Sequence, residues 1–235
     1  MNEVMRSPMD PSNPLRFSVL RVPFFLEPEY DRDESWHETN RKRLERKWGG
    51  KEQFQAQKLR HRLKERGREV GIENFNLDRL ASSTLASHRL VQWVTKHYGC
   101  AISEALYNHL NHRHFIDGQK LNDSAMLCDA AAAAGVDRDA CAEFLASDEG
   151  CAEIDAAQEM LNRMGIHSIP NFVIGGKYIA SGAVHSSELV EIFRTIEATG
   201  EGAPASSFAE VLQIPMEMRG VTLPSPDKAE KKQTA

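Results

Sequence analysis

Thiols are the side chains of this chain best suited to covalent chemistry, because a deprotonated cysteine is both a nucleophile and a metal ligand. The sequence holds four cysteines, Cys100, Cys128, Cys141 and Cys151. None is part of a Cys-x-x-Cys pair, and their spacing fits neither a zinc site nor a dense disulfide framework. We therefore expect free thiols in a reducing compartment, while a Cys141–Cys151 bridge depends on geometry that the sequence does not give.

Histidines are the next candidates, because imidazole can bind a metal or transfer a proton. His109, His112 and His114 are clustered, and the first two are three residues apart, so one helix face could carry two ligands. No acid or cysteine completes a ligand set at helical spacing. We expect polar helix residues, with no metal and no cofactor.

Basic side chains dominate a helical stretch from about residue 36 to residue 70. Glu38 and Lys42 have the i,i+4 spacing of a helical ion pair in the favourable order, but most of the basic residues lack an acidic partner at helical spacing. The stretch is either a solvated helix face or a surface for RNA or an acidic partner, and its few aromatic residues disfavour base stacking. The candidate surface consists of Arg41, Lys42, Arg43, Arg46, Lys47, Arg60, Arg62, Lys64, Arg66 and Arg68.

A proline loop precedes a predicted hairpin late in the chain. Ser168, Ile169 and Pro170 stand before the apolar β-favouring run Phe172–Ile174, which a Gly175-Gly176 turn follows. Proline has no N–H, so it belongs just before a strand and not inside one. An ordinary hairpin with a proline entry fits this pattern, whereas a cis Ile169–Pro170 bond would mark a specific bend, since only X–Pro bonds adopt cis at small cost.

The overall composition sets broad limits on function. The chain has 235 residues, of which 41% are hydrophobic and 27% charged, as in ordinary soluble proteins. A net charge of −5 gives no global reason to bind nucleic acid or an anionic membrane. No apolar run approaches the ~20 residues of a membrane span, and the N-terminus lacks secretory or transit features. We expect no membrane contact and an intracellular location, in the cytoplasm or an organellar matrix.

The elements that must position these residues follow a strand, helices, strand–strand–helix order. This order is an α/β or α+β layout with one sheet and a helical insertion. Glycine, proline and serine enrichment marks the C-terminal part, where a short docking segment is predicted around Phe208 to Ile214. The expected segments are a disordered lead (1–14), a strand (15–30), a mainly helical insertion (31–164), the proline loop with the hairpin and last helix (165–199), and a flexible tail (200–235).

Several short stretches together resemble the DsbA-like thioredoxin superfamily, in particular its FrnE-like branch. That branch is related to kappa-class glutathione transferases and hydroxychromene-carboxylate isomerases. The resemblance covers about residues 15 to 199. The stretches that carry it are Leu20-Arg-Val-Pro-Phe-Phe-Leu-Glu-Pro28, Ser83-Thr-Leu-Ala-Ser-His-Arg89, His114-Phe-Ile-Asp-Gly118 with Leu121-Asn-Asp123, Gly165-Ile-His-Ser-Ile-Pro170 and Ser181-Gly182-Ala183.

The resemblance implies a DsbA-like thioredoxin fold with a large helical insertion. It also implies that Ser168, Ile169 and Pro170 form a cis-proline loop. The backbone groups of this loop can pair with an extended segment of a partner, beside a redox centre. In the family that centre is a Cys-Pro-x-Cys helix start after a first strand, and this sequence matches the family only from the second strand onward. We therefore expect an N-terminally incomplete fold, with the two strands that flank the missing one facing a gap.

Three interpretations of function follow from this resemblance. The chain is a truncated form of a thiol–disulfide oxidoreductase or isomerase and is inactive as written, because no exchange occurs without the cysteine pair. Alternatively, it is a non-catalytic scaffold or assembly factor in a larger protein or ribonucleoprotein complex, with the basic helices at 41–68 as a binding surface. A glutathione-dependent transferase or isomerase is the third interpretation, and it requires a helix-start serine that has no match here.

Overall fold

The computed structural model describes residues 1–69, 71–72, 75–176, 178–201 and 207–221, without the side chains of residues 63, 64, 178 and 207. The chain divides into two compact units that are both discontinuous in sequence. The first unit consists of Met1–Phe24, Thr95–Ala101 and Asp155–Ala235, and the second of Phe25–Val94 and Ile102–Ile154.

The described residues are mainly helical. The α-helices are α1 (Asn2–Arg6), α2 (Asn40–Lys47), α3 (Lys51–His61), α4 (Leu63–Glu69), α5 (Leu85–Tyr98), α6 (Cys100–Phe115), α7 (Ser124–Ala133), α8 (Arg138–Ala146), α9 (Cys151–Arg163), α10 (Ser186–Thr199) and α11 (Ser207–Val211). A 3₁₀-helix covers Met216–Arg219.

The strands are short and form only two-stranded antiparallel sheets within the described ranges. Strand β1 pairs with β6, β2 with β3, and β4 with β5. Their bounds are β1 (Phe17–Ser18), β2 (Glu38–Thr39), β3 (Leu80–Ala81), β4 (Asn171–Ile174), β5 (Tyr178–Ser181) and β6 (Gly220–Val221).

The second unit is a helical body around buried aliphatic side chains, among them Leu90, Leu106 and Leu127. Aspartate caps start two of its helices. The Asp123 carboxylate accepts the Met126 backbone N–H at 2.9 Å, and that of Asp137 accepts the Ala140 N–H at 2.8 Å. These caps satisfy backbone donors that a helix start leaves free.

Arg89 ties α5 to the end of α8 within the second unit. Its Nε donates to the Glu149 carbonyl at 2.7 Å, and its Nη2 donates to the carbonyls of Ser147 at 2.6 Å and Phe144 at 3.3 Å. The guanidinium also lies 4.9 Å from the centre of the Phe144 ring. Because the last carbonyls of a helix have no partner inside it, this arginine acts as a C-terminal cap.

The core of the first unit brings together Leu161 of α9, Ile166 and Phe208 of α11. Leu20, Val22 and Phe24 pack against this cluster. Alternate residues therefore face the core, which is the packing of a strand. The ladder itself is much shorter than the predicted strand over 15–30, because it includes only β1 with β6 and a bond from the Val19 N–H to the Arg219 carbonyl at 2.9 Å.

The prediction of a disordered lead over residues 1–14 differs from the structure. Helix α1 contacts α10, its Val4 side chain is fully buried, and the Met9 backbone N–H donates to the Glu197 carboxylate at 2.8 Å. The proline content of this segment favours disorder, but the buried Val4 side chain and the contact with α10 hold α1 against the first unit.

The expectation of a flexible tail over residues 200–235 is also corrected for its described part. Phe208, Leu212 and Ile214 are buried, at the place where the sequence predicts a docking segment. The chain then continues through the 3₁₀-helix into β6, which pairs with β1. Residues 207–221 thus belong to the core of the first unit, while residues 222–235 lie outside the described residues.

Candidate functional site

The proline loop before β4 is held in one conformation by its neighbours. The Ile169–Pro170 peptide bond is cis, as the sequence predicts. The Ser168 carbonyl accepts a hydrogen bond from the Asn171 side-chain amide at 2.5 Å, and the Ser181 hydroxyl donates to the amide oxygen of Asn171 at 2.5 Å. Asn171 therefore joins the start of the loop to the end of β5.

The direction of each backbone group in β4 follows from one hydrogen bond. The Gly182 N–H donates to the Pro170 carbonyl at 2.9 Å, and the register places these residues opposite each other. Antiparallel pairs alternate between hydrogen-bonded and non-hydrogen-bonded types. Asn171 and Val173 thus belong to non-hydrogen-bonded pairs, and their N–H and C=O groups point away from β5.

That outward edge of β4 has no partner strand among the described residues, since β5 is its only neighbour. Ile169 lies next to this edge, on the other side of the cis Ile169–Pro170 bond. An unpaired strand edge is a template for pairing with another extended chain.

Apolar side chains surround this edge and are open to solvent. Ile169 is 52% exposed, Val173 44% and Phe172 37%. Ile179, on the neighbouring strand, is 61% exposed. Isolated exposed apolar residues are common, but a group of them beside an unpaired strand edge is typical of a binding site for extended polypeptide.

The cysteines offer no dithiol of the Cys-x-x-Cys type in these 235 residues. All four are free thiols, with Cys128 and Cys141 buried and Cys100 and Cys151 half-buried. Burial, followed by the neighbouring Cys128 thiol, raises the pKa of Cys141 to about 12. Cys141 is consequently a protonated thiol at neutral pH and a poor nucleophile.

The predicted basic surface separates into two parts, and the part on α2 is largely paired. The Glu27 carboxylate forms an ion pair with Arg43 at 2.8 Å and a longer one with Lys47 at 3.5 Å. Arg46 contacts Glu38 at 2.6 Å, and Arg41 contacts Asp78 at 2.7 Å. Lys42 is exposed and has no ion pair with a described residue.

The part on α3 and α4 is different, because its arginines are exposed and form no ion pair with a described residue. These arginines are Arg60, Arg62, Arg66 and Arg68. The Lys64 side chain lies outside the described residues. Free positive charge is therefore concentrated on α3 and α4, and the α2 charges mostly stabilise the second unit.

The histidine cluster forms packing contacts. His114 Nε2 accepts from Arg79 Nε at 3.1 Å, so Nδ1 carries the proton and donates to the Gln119 carbonyl at 2.8 Å. Burial, with the nearby Arg79 and Arg43 charges, lowers the His114 pKa to about 4. His112 lies 3.5 Å from the Asp117 carboxylate.

The described residues contain neither a metal-ligand cluster nor a membrane-spanning helix. No group of three or more His, Cys, Asp or Glu side chains there is arranged to hold a metal ion. None of the helices in the same ranges combines the length and the apolar character that crossing a bilayer requires.

Sequence reasoning missed the acidic residues that pair with α2, because Glu27 and Asp78 lie far outside helical spacing. It also missed the three-carbonyl contact of Arg89, although the stretch Ser83–Arg89 is one of those that resemble the family. The only signal in the sequence is that Arg89 is a basic residue four positions after the start of α5. This position does not show which backbone carbonyls the side chain contacts.

Comparison with known proteins agrees with this arrangement. The sequence matches the DSBA-like thioredoxin domain over residues 19–194. The structure is similar to that of a probable DsbA oxidoreductase from Streptomyces coelicolor, with 25% sequence identity, a TM-score of 0.63 and coverage of 78% of this chain and 76% of that chain. No curated protein matches the chain. The family match extends over most of the chain, including the cis-proline loop and the hairpin, and shows that this chain belongs to the DSBA-like thioredoxin domain family, a family of the thiol–disulfide oxidoreductase type.

Proposed function

We propose that this DsbA-like protein binds an extended segment of another polypeptide along the outward edge of β4, and that these 235 residues catalyse no thiol–disulfide exchange of their own. The observation that carries the proposal is the edge formed by Asn171 and Val173, with Ile169 of the proline loop beside it. It has no partner strand among the described residues, and it continues from the cis-proline loop.

The edge can supply both hydrogen bonds and apolar contact. Alternate outward residues each offer one N–H donor and one C=O acceptor, which is the pattern that an added strand requires. The exposed side chains of Ile169, Phe172 and Val173 would be partly removed from water in the complex. Main-chain bonds of this kind are insensitive to sequence, so the partner class is unfolded or extended polypeptide rather than one small molecule.

The absence of exchange rests on the chemistry of the thiols. Disulfide exchange needs a thiolate and a second thiol to resolve the mixed disulfide. The sequence contains no Cys-x-x-Cys pair, and the buried Cys141 is held in its protonated form. In an insulin-reduction assay, we expect insulin to be reduced by dithiothreitol at the same rate with and without the chain.

A pair of proline variants tests the binding site. Val173 and Ile179 lie opposite each other, and each points its N–H away from the other strand. Val173→Pro removes a donor from the β4 edge, whereas Ile179→Pro removes one from the opposite edge of the same hairpin. The probe is reduced, carboxymethylated α-lactalbumin carrying a fluorophore, and binding is measured by anisotropy.

We expect Val173→Pro to weaken binding by about tenfold, which corresponds to one lost hydrogen bond of about 1.4 kcal/mol, and Ile179→Pro to bind as the parent chain does. Equal binding by all three proteins, or an equal loss in both variants, would contradict the proposal.

The charge distribution supports a second binding function at a separate place. Arg60, Arg62, Arg66 and Arg68 are exposed on α3 and α4 and form no ion pair with a described residue. We propose that this arginine group, and not the paired residues of α2, is the surface for an acidic partner. The dependence of this binding on salt concentration provides the test.

A further inference from the structure

We propose that the exposed ring of His61, at the end of α3, stacks on a nucleobase, so that the acidic partner of the arginines on α3 and α4 is a single-stranded nucleic acid. This inference rests on the second proposed binding function and names its class of partner. It does not involve the β4 edge, because α2, α3 and α4 all belong to the second unit.

The turn between α2 and α3 places Trp48 against α3. The Trp48 N–H donates to the Leu44 carbonyl at 2.9 Å, and Trp48 is the residue that ends α2. Gly49 and Gly50 follow with φ angles of 85° and 120°, which side chains disfavour. The Gly50 N–H donates to the Glu45 carbonyl at 2.7 Å, as in glycine-terminated helices. Helix α3 starts at the next residue and contacts α2.

The rings of Phe54, Trp48 and His61 form one stack. The centre of the Trp48 ring lies 5.9 Å from that of Phe54 and 5.9 Å from that of His61, with interplanar angles of 24° and 16°. Phe54 and His61 are two turns apart on α3, which is about 10.5 Å along its axis, so the Trp48 ring lies between them. Local sequence spacing does not reveal this stack, because its middle ring belongs to the preceding helix end.

The stack runs from the interior of the second unit to the solvent. Phe54 is 4% exposed, Trp48 is half-buried and His61 is exposed. Within the described part of the chain, Trp48 is the only ring that His61 contacts, so the other face of the imidazole is available. A base can therefore extend the stack by one ring, since aromatic and imidazole side chains are the usual platforms for unpaired bases.

Positive charge surrounds this ring. Residues 51–69 include seven Lys and Arg residues and three acidic ones, although the whole chain has a net charge of −5. Arg60 and Arg62 are the sequence neighbours of His61. Lys58 lies about one turn before it on α3. These three cations are exposed and form no ion pair with a described residue, so they are available to the phosphates of a strand whose base rests on the imidazole.

An available ring beside unpaired cations favours nucleic acid over an acidic polypeptide. The carboxylates of an acidic polypeptide would contact the arginines but have no flat group for the imidazole, whereas each nucleotide supplies a phosphate and a ring. A duplex hides the faces of its bases in its own stack. Every base has a π-face, so the expected ligand is a single strand bound with little sequence preference.

Two oligomers of equal charge separate base stacking from electrostatic attraction. The first is fluorescein-labelled oligo(dA) of about twelve nucleotides, within the usual range of site sizes, and the second is the same backbone with an abasic site at every position. Binding to the full chain is measured by anisotropy at one fixed salt concentration, with poly-glutamate as a competitor. The variants are His61→Gln, which removes the ring, His61→Phe, which keeps a ring, and His112→Gln, which changes an exposed histidine of α6.

We expect the parent chain to bind oligo(dA) about tenfold more tightly than the abasic oligomer, in the range that one stacked base contributes. His61→Gln should lower the affinity for oligo(dA) to that for the abasic oligomer. His61→Phe should keep the preference, and His112→Gln should not change it. Arg60→Gln/Arg62→Gln should weaken the binding of both oligomers by a similar factor. In NMR spectra, the His61 ring protons should shift upfield with oligo(dA) and not with the abasic oligomer.

Equal affinity of the parent chain for the two oligomers would overturn the stacking assignment and leave the arginines as a general polyanion surface. A preference for oligo(dA) that His61→Gln retains would also overturn it, as would poly-glutamate that competes as effectively per charge as oligo(dA) does. Absence of salt-dependent binding to all of these polyanions would contradict the second proposed binding function itself, and the stacking inference with it.

Discussion

Val173 and Ile179 face each other across the β4–β5 hairpin as a non-hydrogen-bonded pair. The register pairs them directly, and the bond from the Gly182 N–H to the Pro170 carbonyl fixes the alternation. Their backbone groups therefore point outward to opposite edges of the same two-stranded sheet. One edge continues into the cis-proline loop and the other does not, which makes the two residues a matched pair for experiments.

Hydrogen-bonded and non-hydrogen-bonded residue pairs alternate along the hairpin, so proline variants at successive positions should differ in stability. Phe172 belongs to a hydrogen-bonded pair with Ala180, so proline at position 172 removes a ladder bond and should lower the free energy of unfolding by about 3 kcal/mol. Val173→Pro removes only an outward donor and should cost clearly less. Urea unfolding followed by circular dichroism measures both. If Val173→Pro is the more damaging variant, the alternation is assigned the wrong way round.

Arg89 should be among the most sensitive positions of the second unit. Replacing it with Met keeps an apolar stem against Phe144 but removes the donor to the Ser147 and Glu149 carbonyls, while the Phe144 carbonyl keeps the Ser147 N–H and hydroxyl. We expect a loss of about 2–4 kcal/mol in unfolding free energy. Arg41→Met is the control, because Arg41 and its partner Asp78 are both exposed, and it should cost less than about 1 kcal/mol. Similar losses in the two variants would show that the carbonyl contacts do not stabilise the unit.

His114 should make stability depend on pH. Its pKa in the folded protein is lowered to about 4 from 6.5, first by burial. The unfolded chain therefore binds the proton more readily, so the stability is fully present above pH 6.5 and is lost as the pH falls through the folded pKa of about 4. The full loss would be on the order of 3 kcal/mol.

His114→Gln should flatten this part of the stability profile in urea titrations at successive pH values. His112→Gln is the matched control, because it removes an imidazole of the same helix that is 64% exposed, so the difference between the two variants reports on the buried ring. A profile for His114→Gln as steep as that of the parent chain would assign the pH dependence to other groups.

The arginines of α3 and α4 make a prediction about binding to acidic partners. With single-stranded poly(U) as the probe, the slope of log K against log salt should fall by about 3 when four phosphate contacts are lost in Arg60→Gln/Arg62→Gln/Arg66→Gln/Arg68→Gln. Arg41→Gln/Lys47→Gln changes residues that are already paired and should leave the slope nearly unchanged. The proposal fails if the α2 variant loses as much, or if the parent chain shows no salt-dependent association with either poly(U) or poly-glutamate.

The features that were predictable from sequence are those set by local chemistry. Glycine and proline spacing indicates the loop and hairpin around Pro170, and short motifs together indicate the family. The cis bond at Pro170 is confirmed, and so is the DsbA-like fold. The role of Ser168, Ile169 and Pro170 in binding a partner stays a prediction.

The features that were not predictable depend on contacts between distant parts of the chain. Pairing of Phe17 with Val221 joins two segments that local patterns place in separate elements. The ion pairs of Glu27 with α2 depend on tertiary packing and not on helical spacing. The burial of both Cys128 and Cys141 depends on how α7 and α8 pack, which their separation in sequence leaves open.

Amide hydrogen exchange of the β4 edge tests the central claim most directly. The chain is mixed with unlabelled reduced, carboxymethylated α-lactalbumin, and exchange is followed residue by residue by NMR. We predict that the amides of Ile169, Asn171 and Val173 gain protection, while those of Phe172 and Ile174, which already face β5, change little. Protection that appears at Ile179 instead, or no gain at all at saturating polypeptide, would contradict binding at this edge.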